Sequence, residues 1–138
     1  MDPVLDNDIE EKKPLVDGSV VEDSYNACLV YVLMCLCYAY IELRHYSEAI
    51  SCINEALEYA QDKVPDLFFR RAQAICYNKY SSIEDMNKGL EDINKAISLK
   101  KEPIYLEFLD KFKGIIEHRK KEEAETIISK LIFNVLLY

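Results

Sequence analysis

The sequence predicts an all-α fold in which antiparallel helix pairs stack as a superhelical repeat, closed by a long C-terminal capping helix. Three observations carry that prediction. One spacing occurs twice: Leu33-x2-Leu36-Cys37-x2-Tyr40 with Ala49-x3-Ile53, then Phe68-x2-Arg71-Ala72-x2-Ile75 with Gly89-x3-Ile93. Repeated helix pairs of this kind build grooves for partners rather than catalytic centres. Apolar residues return every three or four positions, the period of one helix face. The 138 residues, 50% hydrophobic and 30% charged, are also enough material for one domain with a core.

Residues 1–23 hold Pro3, Pro14, Gly18 and clustered acids and read as an acidic flexible tail. The helix pairs with their capping helix occupy residues 24–117, and residues 118–138 read as an amphipathic C-terminal helix. Ser24 is the expected N-cap of a first helix that runs to Arg44. His45 and Tyr46 make the turn, and a second helix spans Ser47 to Gln61 with Ala49, Ile50, Ile53, Ala56 and Leu57 on one face. Pro65, well placed in a first turn, opens a third helix through Asn78. Tyr80 to Lys88 reads as an irregular loop. The fourth helix follows from Gly89 to Leu99 with Gly89, Ile93 and Ala96 inward, and Pro103 starts a fifth that carries Tyr105, Leu106, Leu109, Phe112 and Ile116. From Lys120 onward, Ile127, Ile128, Leu131, Ile132, Val135 and Leu136 form a stripe wide enough to need a partner surface. The small residues Ala49, Ala56, Gly89 and Ala96 are expected where helices cross closely.

The net charge is −8, of which eight acids against Lys12 and Lys13 place −6 in residues 1–23. The remaining −2, with no basic stripe, argues against nucleic acid and anionic membrane as partners. The apolar run Ala27–Ile41 is short beside the roughly 20 residues of a bilayer span, so no membrane segment is expected. It does predict a helix apolar on nearly every side, which something beyond its pair partner must cover. The five cysteines (Cys28, Cys35, Cys37, Cys52, Cys76) are odd in number and lie in apolar runs, which suits reduced core residues and a cytoplasmic protein better than disulfides or zinc. Cys35 and Cys37 point about 200° apart on a helix and cannot chelate one metal. His45 and His118 read as solvated, and Glu84-Asp85 and Glu91-Asp92 as surface charges. The chain has Gly18, Gly89 and Gly114 but no glycine-rich phosphate loop. No catalytic residue, metal or cofactor is therefore expected.

Tyr46–Leu57 (Y-S-E-A-I-S-C-I-N-E-A-L) and Leu67–Ala74 (L-F-F-R-R-A-Q-A) resemble tetratricopeptide repeats (TPR), and the likeness extends over about Tyr25 to Arg119. Among such proteins the chain looks most like the C-terminal TPR region of the large immunophilins, the peptidyl-prolyl isomerase co-chaperones, although it lacks the tryptophan that many such repeats carry. The resemblance implies a protein-binding groove, with the C-terminus of a heat-shock chaperone as candidate partner, held by a carboxylate clamp of Lys, Asn and Arg. Arg70 matches the clamp arginine. Cys35 stands in the asparagine position and Asp66 in the lysine position, where a carboxylate repels an incoming carboxylate.

The helix wheel places a groove on Tyr31, Met34, Cys35, Tyr38 and Glu42 of the first helix and Asp66, Phe69, Arg70, Gln73 and Tyr77 of the third. Such a face suits a peptide or an amphipathic helix of a partner, with aromatic area for affinity and Arg70 and Gln73 for polar ends. Two alternatives accompany this reading. The chain is the accessory TPR region of an immunophilin-type isomerase whose catalytic domain lies outside it, or it is a self-associating scaffold, a homodimer that covers the apolar first helix and residues 127–137.

Overall fold

The computed structural model describes the backbone of residues 18–137 and side chains from Ser24 to Leu137. Five α-helices and no strand occur among the described residues: α1 Gly18–Glu42, α2 Tyr46–Ala60, α3 Pro65–Tyr77, α4 Ile83–Leu99 and α5 Pro103–Leu137. Each packs on the next in chain order, α1 also meets α3, and α3 also meets α5. The all-α class is as expected.

Two linked cores hold the helices. In the first, Val30, Leu33 and Cys37 of α1 meet Ala49, Ile53 and Ala56 of α2 and Leu67 and Ala74 of α3. In the second, Phe68, Phe69, Ala72, Ile75 and Cys76 of α3 meet Met86, Ile93 and Ala96 of α4 and Tyr105, Phe108, Phe112 and Ile116 of α5. Ile50 and Leu57 of α2 touch both. Ala49, Ala56 and Ala96 are fully covered, as expected of residues where helices cross. The second core is aromatic: Phe69 lies 4.9 Å from Tyr105 and 5.4 Å edge-on from Phe108 between ring centroids.

Several element limits differ from the sequence expectation. Helix α1 starts at Gly18, so Ser24 lies inside it rather than capping it, and the tail read over 1–23 loses its last six residues to the helix. The rest of that tail lies outside the described residues. At the other end α1 stops at Glu42, and Leu43–His45 form the turn. There Arg44 takes a left-handed φ of 62° while His45 N–H donates to the Tyr40 carbonyl at 2.8 Å, closing the helix end in the Schellman manner.

The stretch read as a loop over Tyr80–Lys88 is helical from Ile83. Ser82 accepts from Asp85 N–H at 3.0 Å while the Asp85 carboxylate accepts from Ser82 N–H at 3.0 Å, a reciprocal cap that satisfies two donors of the first turn. The spacing Ser-x-x-Asp announces this cap, but the eye is drawn to the run of polar residues around it. Replacing Ser82 with Ala is expected to cost about 1 kcal/mol, read as a shift of the urea midpoint. The same loop is tied down twice more: Ser81 Oγ donates to the Ile75 carbonyl at 2.7 Å, and Arg119 of α5 donates to the Ser81 carbonyl at 2.6 Å.

The capping helix and the C-terminal helix, expected as separate segments at 103–117 and 118–138, are one unbroken helix of 35 residues. Its buried residues end at Ile116, and every described residue from Lys120 to Leu137 is exposed. The charged stretch Lys120–Glu125 does not interrupt it because Lys, Glu and Ala are strong helix formers.

Candidate functional site

Helices α1 and α3 meet at a polar cluster. The Tyr38 hydroxyl donates to Asp66 Oδ2, Arg70 Nε lies 3.5 Å from the same oxygen, and Arg70 Nη1 donates to Gln73 Oε1 at 3.0 Å. The guanidinium sits over the Tyr38 ring at 4.4 Å and 5.3 Å from the Phe69 ring centroid. Periodicity explains the α3 side of the assembly: Asp66, Arg70 and Gln73 are successively one turn apart, and Tyr38 of α1 meets Asp66 and Arg70. Burial, then the hydrogen bond to Asp66, pushes the Tyr38 phenol up to about 12. Burial also raises the Tyr105 phenol of α5, with the charge of Asp66 adding to it.

One turn back along α1 the surface opens into a shallow, mainly apolar cleft of about 560 Å³ whose lining includes Asn26 and Gln61. Tyr31, Met34 and Val30 form one wall, and Tyr59, Ala60 and Val64, from the end of α2 and its connection to α3, form the other. Gln61 at its edge and Asp62 beside it both adopt left-handed φ, of 52° and 57°, which turns the chain sharply back towards α3.

The ten residues expected to line one groove therefore divide, with Glu42 exposed at the last position of α1. Tyr38, Asp66, Arg70 and Gln73 come together in the polar cluster, and Tyr31 and Met34 line the cleft. Tyr77 lies beyond them, 38% exposed, with Lys111 Nζ 5.3 Å from its ring centroid. Cys35 is exposed, on the side of α1 turned away from α2. Phe69 is a correction. It is only 2% exposed, covered by Tyr105 and Phe108, because α5 packs over that edge of α3 and takes the ring into the core. Tyr59 and Val64 were missed, since nothing in the spacing of α1 and α3 shows that the α2–α3 corner folds against α1.

Two further expectations need correction. Asp92, read as a surface charge, is 7% exposed and accepts a bidentate bond from Arg71, Nε to Oδ2 and Nη2 to Oδ1 at 2.7 Å each. Arg71 Nη1 also donates to Asn54 Oδ1 at 2.9 Å, so the group joins α2, α3 and α4. The cysteines are not uniformly buried either: Cys37 and Cys76 are buried, Cys52 is half-buried, and Cys28 and Cys35 are exposed. The length argument against a membrane segment also fails, because Ser24–Glu42 is long and apolar enough, by length and composition alone, to cross one.

Burial pushes the Cys37 thiol up from 9.0 to about 12 and the Cys76 thiol to about 11. These groups and Tyr38 hold their protons in the folded chain at a pH where the unfolded chain releases them. The stability they contribute is complete below about pH 9 and is lost as pH rises towards 11 to 12. A urea midpoint that falls steadily above about pH 9 is the expected result, and a flat profile would contradict it. In the folded chain, thiol reagents are expected to reach Cys37 and Cys76 only after unfolding.

No group of His, Cys, Asp and Glu positioned to hold a metal ion occurs among the described residues. His45 and His118 are exposed, the former stacked on Tyr40 at 6.2 Å and the latter 3.7 Å from Glu122. The arrangement defines an all-α protein with an apolar cleft beside an internally paired polar cluster. No protein-family model matches the chain, and neither does any curated protein or solved structure searched.

Proposed function

We propose that the chain is a non-catalytic, cytoplasmic protein-interaction module of the TPR type, whose cleft between α1 and the α2–α3 corner takes an apolar peptide or helix of a partner protein. The order of packing supports the repeat reading, since α1 with α2 and α3 with α4 make successive pairs joined through α2 and α3. The observation that carries the functional reading is the cleft itself: an apolar slot bounded by Tyr31, Met34, Tyr59 and Val64, one helical turn from polar groups able to orient a bound backbone.

The same geometry weighs against an ordinary carboxylate clamp. Arg70 faces Asp66 and Gln73 within its own helix, so a carboxylate arriving at Arg70 meets the Asp66 charge at the same time. On this reading a co-chaperone role runs through apolar anchoring.

Selection of a random peptide display library on the full chain, followed by fluorescence anisotropy, tests the proposal. Selected peptides are expected to carry apolar anchors and to lose about tenfold or more in affinity with Met34→Glu, while Arg70→Ala leaves them largely unchanged. Tight binding of acidic chaperone C-terminal peptides that vanished in Arg70→Ala would replace this reading with the clamp.

A further inference from the structure

The side of α1 turned away from α2 carries a second apolar seam. Val30, Leu33 and Cys37 face α2, whereas Tyr25, Cys28, Val32, Cys35 and Ala39, spaced three, four, three and four apart, are all exposed. At 100° per residue these five stay within a sector of about 80°, the narrow stripe of a coiled-coil seam. Leu36 and Leu43 flank it, 44% and 65% exposed, and no charge interrupts it from Tyr25 to Ile41.

A matching seam lies at the far end of α5. Ala124, Ile128, Leu131 and Val135 are spaced four, three and four apart, with Ile127 and Ile132 beside them, and all six are exposed. The two seams run about 21 Å and 16 Å along their helices. Their charged neighbours lie to the side or behind: Lys130 is on the back of α5, and Glu125 is at its near end.

We propose that the outer seam of α1 docks a second copy of this chain, and that its occupant is the stretch Ala124–Leu136 of that copy's α5. The juxtaposition cannot be made within one copy as it stands, because α1 and α5 do not touch and α5 runs unbroken away from the packed helices. The apolar surface at stake is also large. Tyr25, Val32 and Leu36 on one face and Ile128, Leu131 and Val135 on the other are each 44–75% exposed, contiguous stripes rather than the scattered single apolar residues of an ordinary monomer surface, and engaging both at once moves the buried area towards what a stable dimer needs. The pairing uses a different sector of α1 from the peptide cleft and does not depend on the cleft having a ligand.

Sedimentation equilibrium of the full chain is expected to show a dimer or larger assembly that Val32→Glu and Leu131→Glu each dissociate. Both residues are more than half exposed, so the far-ultraviolet circular dichroism of the variants should match the parent. Under mild oxidation, Leu131→Cys is expected to form an intermolecular disulfide between position 131 and Cys35 or Cys28, identified by peptide mass mapping. A parent that stays monomeric at high micromolar concentration overturns the proposal. So does an assembly indifferent to Leu131→Glu and cross-linked only through Cys35 to Cys35, which would mean that α1 pairs with α1. A monomer that binds anionic lipid vesicles through these faces, with Val32→Glu abolishing the binding, overturns it in favour of a membrane surface.

Discussion

Arg71→Met is expected to destabilise the protein by about 3–5 kcal/mol, because it strands the Asp92 carboxylate without its cation. The side chains of Arg71 and Asp92 are 24% and 10% exposed, so water can replace little of what the guanidinium supplies. Asn54 loses its donor in the same step, which loosens α2 from α3. The pair itself need not add much net stability, since taking both charges out of water costs nearly as much as their attraction returns. The double variant Arg71→Met with Asp92→Leu should therefore recover most of the loss, and urea unfolding of the three variants measures it. A double variant no better than Arg71→Met would mean that packing of the arginine stem, not the stranded charge, sets the cost.

Gly89 of α4 and Gly114 of α5 should respond to substitution with opposite signs. A Cβ on Gly89 would lie 2.9 Å from two atoms of the Phe112 ring and 3.2 Å from Ile75 Cγ2. Phe112 is fully buried among α3, α4 and α5 and has nowhere to retreat. For Gly89→Ala, overpacking of about 1–3 kcal/mol competes with a gain of about 1 kcal/mol in helix propensity, giving a modest net loss. For Gly89→Leu the clash dominates, and a loss of about 3 kcal/mol or more is expected. At Gly114 a Cβ meets nothing within 4 Å, so Gly114→Ala keeps only the propensity gain and should stabilise by about 1 kcal/mol. Thermal unfolding reads both, at about 4 °C per kcal/mol for a domain of this size. Stabilisation by Gly89→Leu would mean that α4 and α5 do not cross there.

The limits of α2 and α3 were legible to within about one residue, because Pro65 and the change of period around His45 are local signals. The start of α4 was written in the spacing of Ser82 and Asp85 but hidden among polar residues that resemble a loop. The candidate site was legible where it depends on the separate helix wheels of α1 and α3: Tyr38 does meet Asp66 and Arg70, and Arg70 meets Gln73. It was illegible where a third element intrudes. Phe69 shares a stripe with Arg70, yet α5 covers one and leaves the other at the surface. Asp92 and Arg71 are 21 positions apart, and no periodicity within either helix announces their bond.

From the order of its residues alone this chain was bound to be helical, paired through alanine and glycine, and oversupplied with apolar surface on its first and last helices. Those properties follow from period, propensity and side-chain volume, which act over a few neighbouring positions. Which apolar side chains became core, which acid acquired a cation, where the cleft opened and which seams were left uncovered were decided by the way α5 and the α2–α3 corner close on the rest. Burial is a property of what arrives from elsewhere in the chain, and helices joined by short turns can bring different faces together until the whole set has packed.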